Sequence, residues 1–119
     1  MSKNKKALVI DNGTGFTKMG FSGNLDPDFV FPTAIAEINK KTDISMSSKN
    51  EEFDFYIGDK ALEVASNSQN HSVTYPMANG MIDKWDQMEK FWHQSMYHYM
   101  KVDPQEHNVV LVNTSFLIK

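Results

Sequence analysis

Cysteine and arginine are both missing from this chain of 119 residues; all twelve basic side chains are lysine. Without cysteine there can be no disulfide, no thiolate nucleophile and no cysteine-ligated zinc. Without arginine, no planar guanidinium can grip a phosphate or carboxylate through two parallel hydrogen bonds. Long apolar runs are missing too, none approaching the ~20 residues of a membrane-spanning helix. After the basic start Met1–Lys6, only Ala7 to Ile10 is apolar before Asp11, too short a run for a secretory leader. The three Asn-x-Ser/Thr matches at Asn12, Asn70 and Asn113 therefore carry no weight as glycosylation sites. Net charge is −3 and the isoelectric point about 5.7, which argues against a nucleic-acid binder. What is present, 40% hydrophobic and 12% aromatic residues, suits one soluble domain or a piece of a larger one. A cytoplasmic, mildly acidic domain is the expectation.

Along the chain, Ala7-Leu8-Val9-Ile10 reads as a short buried strand closed by Asp11-Asn12-Gly13. Phe16 to Phe21 then alternates, with Thr17, Met19 and Phe21 on one face and Phe16 and Lys18 on the other. After the turn-like Ser22 to Pro27, Phe29-Val30-Phe31 reads as a third strand stopped by Pro32, which predicts an antiparallel meander. Residues 38–52 are polar and aperiodic, as in a surface insert. Phe53 to Asp59 reads as a strand running into a turn, Lys60 to Val64 as one helical turn, and Ser66 to Ser72 as polar connection.

The clearest periodicity follows. Trp85, Met88, Phe91/Trp92, Ser95/Met96 and Tyr99 recur every three to four residues, the apolar stripe of an amphipathic helix. Asp83 is its expected N-cap, Asp86 completes a short capping box, and Pro104 stops the chain from continuing helically. Asn108 to Val112 reads as a fully buried strand of the parallel type. Strands, insert, helix and buried strand together predict an α/β fold.

One constellation carries chemistry, Asp11-Asn12-Gly13-Thr14-Gly15-Phe16-Thr17-Lys18. Two glycines around a hydroxyl leave backbone N–H groups free to face an anion, Lys18 could add a point charge, and Asp11 could orient water around a divalent cation. It is neither a Walker A loop nor the dinucleotide fingerprint, and Asn-Gly also closes ordinary hairpins, so both readings stand at this point. The four histidines do not share a face or form a His-Glu-x-x-His pattern, and they read as ordinary solvated residues.

Several segments resemble the actin superfamily in the same order: residues 11–23, Phe31-Pro32-Thr33, Tyr56 to Asp59, Tyr75-Pro76-Met77, Gly80-Met81-Ile82, Trp85 to His93 and Pro104 to His107. Gly23 to Phe29, Pro32 to Ala36 and Phe53 to Leu62 resemble the branch-nucleating actin-related members more than conventional actin. A divergent conventional actin is the alternative, as is a truncated paralogue that acts as a protein-interaction module without nucleotide. The resemblance implies the amino-terminal portion of an actin-like, ribonuclease H-like ATPase fold. Residues 1–33 and 73–119 would belong to the first subdomain and 34–72 to an inserted second one, together a single incomplete domain.

It further implies ATP with Mg2+ as cofactor. Gly13, Thr14, Gly15, Phe16 and Lys18 would meet the phosphates, and Asp11 would hold the metal through water. The implied partners are actin-related protein 2, the other subunits of the branch-nucleating complex and actin filaments, with no membrane span and no nucleic acid. The implied role is that of a cytoskeletal scaffold subunit rather than a free-standing enzyme. Asn79 stands where the family usually has histidine before glycine, and residues 113–119 depart from its Thr-Glu-Pro-Pro-Leu-Asn continuation. With one side of a two-sided cleft encoded, the chain alone is expected to bind ATP with a dissociation constant above about 1 mM.

Overall fold

A computed structural model describes residues 5–38 and 55–112. The expected insert lies almost wholly outside the described residues, as do Phe53, Asp54 and the tail 113–119. Strands β1 (Leu8–Asn12), β2 (Phe16–Phe21) and β3 (Phe29–Pro32) form the antiparallel meander, with Ile10 opposite Met19 and Thr17 opposite Phe31. The alternation of β2 holds: Thr17 and Met19 are buried, Phe16 and Lys18 exposed. Pro32 is tolerated because β3 is the edge of this sheet.

The last described strand, numbered β9 (Val109–Val112), lies parallel to β1, with Leu8 opposite Val109 and Asp11 opposite Val112. The sheet order is therefore β3-β2-β1-β9, a mixed sheet of the α/β class. One expectation is corrected here. The four residues of β9 are 37–49% exposed rather than buried, because β9 is the other edge and has β1 as its sole strand neighbour among the described residues.

Between the two ends of that sheet lies a second one that the sequence pattern did not reveal. β4 (Ile35–Ile38) is flanked by β5 (Phe55–Ile57) and β6 (His71–Thr74), all antiparallel. Helix α1 (Gly58–Asn67) runs ten residues, not one turn, and buries Ala61 against Ala34 and Ala36. Gly58 sits at φ +66°, and a Cβ there would lie 2.5 Å from the Tyr99 hydroxyl, so glycine is required on both counts. Tyr99 stacks flat on Phe31 with centroids 4.0 Å apart; burial raises its pKa, and the Asp59 carboxylate adds to the shift.

Short strands β7 (Met77–Ala78) and β8 (Met81–Ile82) form a tight hairpin before α2 (Trp85–Ser95). Asp83 does not cap α2. The N–H groups of Asp83 and Lys84 both donate to the Pro76 carbonyl, Lys84 takes the N-cap position without a side-chain bond, and the Asp83 carboxylate turns to Lys84 Nζ, 3.2 Å away. The apolar stripe is centred on Met88, Phe91, Ser95 and Met96, all buried. Trp85, expected in the core, is 60% exposed and meets Trp92 edge-on at the wall of a cleft. Ser95 Oγ donates to the Phe91 carbonyl just before the coil widens into a π-helical turn over Met96–Met100. Lys101, at φ 54°, ends it in the left-handed region.

The core joins both sheets to α2 through Leu8, Ile10, Met19 and Phe31 of the first, Ile35 of the second, and Met88 and Phe91 of the helix, each at most 1% exposed. Each such side chain contributes roughly 1.5–3 kcal/mol relative to exposure. Across the same seam, Glu37 of β4 accepts from Gln87 Nε2 at 3.0 Å and Lys90 Nζ at 2.9 Å. No helix of the described residues is long and apolar enough to cross a membrane.

Candidate functional site

The turn between β1 and β2 is held from several sides. Gly13 N–H donates to the Phe16 carbonyl at 2.9 Å, which closes the loop on itself. A Cβ on Gly13 would lie 2.9 Å from that same oxygen, so this glycine serves the closure of the turn. At the tip, Thr14 and Gly15 are exposed, and their N–H groups have no backbone acceptor among the described residues. Nothing lies within 4 Å of where a Gly15 Cβ would stand, so the tip opens onto space rather than protein. Phe16 is exposed beside it.

Thr14 has one fixed partner: its Oγ1 accepts from Gly80 N–H at 2.8 Å, across from the β7–β8 turn. A hydroxyl oxygen can accept that bond and still donate its own proton. The Gly80 contact thus uses a lone pair of Thr14 Oγ1 and leaves its proton able to donate elsewhere.

Asp11 and Lys18 are cross-strand partners and share the face of the sheet opposite the core. Both line a groove of about 290 Å³ bordered by Gly20, Phe21 and the 22–27 turn. Among the described residues neither is engaged in an ion pair. The fit to the phosphate end of a magnesium nucleotide is chemical: a hydroxyl, exposed amides and an ammonium suit phosphate oxygens, and a carboxylate suits a hydrated divalent cation. Gly13 differs from its expected role, since its N–H is already engaged by the Phe16 carbonyl; the donors left at the tip are those of Thr14, Gly15 and Phe16.

Sequence reasoning missed what holds this turn in place. Trp92 Nε1 donates to Asn12 Oδ1 at 2.6 Å, Asn12 Nδ2 donates to Thr17 Oγ1 at 2.9 Å, and Thr17 and Thr33 hydroxyls meet at 2.7 Å. Thr17 and Thr33 are fully buried, and Thr33 N–H also donates to the Gly15 carbonyl at 2.9 Å. The available signal was Thr17, a hydroxyl on the strand face it shares with Met19 and Phe21, since buried polar groups require partners. The histidines lie elsewhere: His71 Nδ1 meets Ser68 Oγ, His107 Nδ1 meets the Lys6 carbonyl, and His93 and His98 pack on Tyr97 and Tyr99. Among the described residues no group of three or more His, Asp or Glu could hold a metal ion.

Comparison with known proteins agrees with this architecture. The actin family matches over residues 2–117. Actin-related protein 3 of Dictyostelium discoideum is 42% identical over 108 residues, covering 88% of this chain and 25% of that protein. The Caenorhabditis elegans protein of the same name is 38% identical over 88% of this chain and 26% of its own length, and the Saccharomyces cerevisiae one 35% over 91% and 32%. The chain thus spans between a quarter and a third of the length of these curated relatives. Matched across nearly all its residues and carrying the meander, helix and parallel strand in that order, the chain belongs to the actin family and is similar to the amino-terminal part of actin-related protein 3.

Proposed function

We propose that this chain forms the phosphate-holding half of a nucleotide cleft in a subunit of the complex that nucleates branched actin filaments. The observation that carries the reading is the Thr14 hydroxyl, held by Gly80 N–H at an exposed glycine-flanked tip. In this reading Thr14 O–H and the N–H groups of Thr14, Gly15 and Phe16 bind phosphate oxygens, while Gly13 shapes the turn. Lys18 supplies the positive charge, and Asp11 holds Mg2+ through water. When bound, the metal neutralises phosphate charge; this chain's residues orient the phosphates and hold them.

The role is that of a scaffold subunit rather than a free-standing enzyme, with actin-related protein 2, the other subunits and actin filaments as partners in the cytoplasmic cytoskeleton. Support for this part comes from the similarity to proteins named actin-related protein 3. A second reading, a protein-interaction module without nucleotide, draws on the exposed apolar strand β9.

Titration of the chain with Mg-ATP, followed by the amide signals of Thr14 and Gly15, tests the choice. The expected dissociation constant is above about 1 mM, for a half-cleft facing solvent. Lys18→Met and Asp11→Asn should each weaken it further without moving the melting temperature, and Lys60→Ala should leave it unchanged. Shifts that persist unaltered in both hairpin variants would return residues 11–18 to an ordinary hairpin and favour the interaction module.

A further inference from the structure

We infer that Trp92, eighty positions away in sequence, is a positioning residue that presets the turn between β1 and β2 for phosphate. The inference rests on the phosphate reading above and adds what prepares the site. An indole N–H can only donate. Its 2.6 Å bond therefore fixes Oδ1 of Asn12 toward α2, which in turn directs Nδ2 toward Thr17, at 2.9 Å. Asn12 and Thr17 are the last and second residues of the paired strands and face each other in register, so this one amide ties both feet of the turn.

The tether continues to the tip. Thr17 meets Thr33 at 2.7 Å, and Thr33 N–H draws the Gly15 carbonyl inward at 2.9 Å. A carbonyl oxygen facing an anion would repel it. In a trans peptide the next N–H points the opposite way, so holding the Gly15 carbonyl against Thr33 turns the Phe16 N–H away from Thr33. Helix α2 thus sets the orientation of the Gly15–Phe16 peptide, which it does not itself touch. Preset donors bind an anion without the ordering cost that a loose glycine-containing turn would carry.

The test uses the chain with magnesium tripolyphosphate as probe, alongside amide hydrogen exchange without ligand. Trp92→Phe keeps a ring in place and deletes the donor; Asn12→Leu removes the hub; Trp85→Phe is the control for losing an indole. Tripolyphosphate affinity is expected to fall roughly tenfold in Trp92→Phe and in Asn12→Leu, the scale of one well-made hydrogen bond, and no further in the double variant. Without ligand, exchange at Gly13 and Thr33 should speed up in Trp92→Phe while the β4–β6 sheet is unchanged, and Trp85→Phe should do neither.

Unchanged exchange at Gly13 and Thr33, or equal acceleration in every strand, would reduce Trp92 to ordinary packing and overturn the inference. A wild-type chain that shows the exchange pattern but takes up no tripolyphosphate would keep the tether and overturn the phosphate reading instead. Should Trp92→Phe fail to fold, Thr33→Val cuts the far end of the same chain of bonds with little change of shape and gives the same two readings.

Discussion

The dipeptide Asn-Gly occurs twice in this protein, and its two occurrences fold differently. Asn79 and Gly80 take φ values of 55° and 76°, the two left-handed residues of a type I′ turn, and join β7 to β8 with nothing between them. Neither Asn12 nor Gly13 has a positive φ. Asn12 is the last residue of β1, in register with Thr17, and the loop beyond it is long enough to present Thr14 and Gly15. The difference lies in the asparagine side chain. Asn12 is held by Trp92 on one side and Thr17 on the other, which keeps its backbone extended. Among the described residues Asn79 has no such hold, and it takes the turn its residue type favours. Local sequence proposes a turn in both places; where the backbone stays extended, the asparagine side chain is bonded to a distant helix.

Four substitutions sharpen or break this comparison. Trp92→Ala should be the most damaging, about 3 kcal/mol from lost core contact and the missing donor, measured by urea unfolding. Asn12→Ala should cost roughly 1–3 kcal/mol, because it leaves the Trp92 N–H and the buried Thr17 hydroxyl short of a partner. Asn79→Ala should cost no more than about 1–2 kcal/mol, the left-handed penalty alone. A larger loss at Asn79 than at Asn12 would undo the contrast. Lys90→Ala, which removes a half-exposed ion pair to Glu37, should stay within about 1 kcal/mol.

A fifth expectation concerns pH. Tyr99 is neutral at pH 7 in both states, and its pKa is raised in the folded one by burial and then by Asp59. Above about pH 10 the unfolded chain loses that proton first, so stability should decline as pH rises from there. Tyr99→Phe should flatten the alkaline decline in thermal melts.

β2 and helix α2 were legible from their periodic patterns, and β1 and the parallel type of β9 from unbroken apolar runs, although β9 is exposed rather than buried. β6 was not, since His71-Ser72-Val73-Thr74 is polar and becomes a strand by pairing with β4. β4 was masked by its four-residue length, and α1 by a mixed face that buries just Gly58 and Ala61. Of the site, Gly-Thr-Gly and Lys18 were visible as residue types suited to phosphate. Trp92 was visible as an apolar position, not as a donor to residue 12, because periodicity carries no information about partners across the fold. Trp85 shows the converse error: helical spacing placed it on the stripe, but the first turn of α2 borders a cleft instead of the core.

The register of β9 against β1 has a kinetic consequence. Leu8 meets Val109, so the central strand of the sheet gains its second neighbour from residues about a hundred positions later. β1, β2 and β3 can pair through short turns as soon as residue 32 has been made. Docking β9 must instead close a loop of nearly the whole chain, and such distant pairing is what slows folding. During synthesis one edge of β1 therefore waits, apolar and unpaired, until β9 arrives. The Lys5–Glu106 ion pair and the bond between His107 and the Lys6 carbonyl lie beside the start of that pairing, where they can hold the two ends together while the strands align.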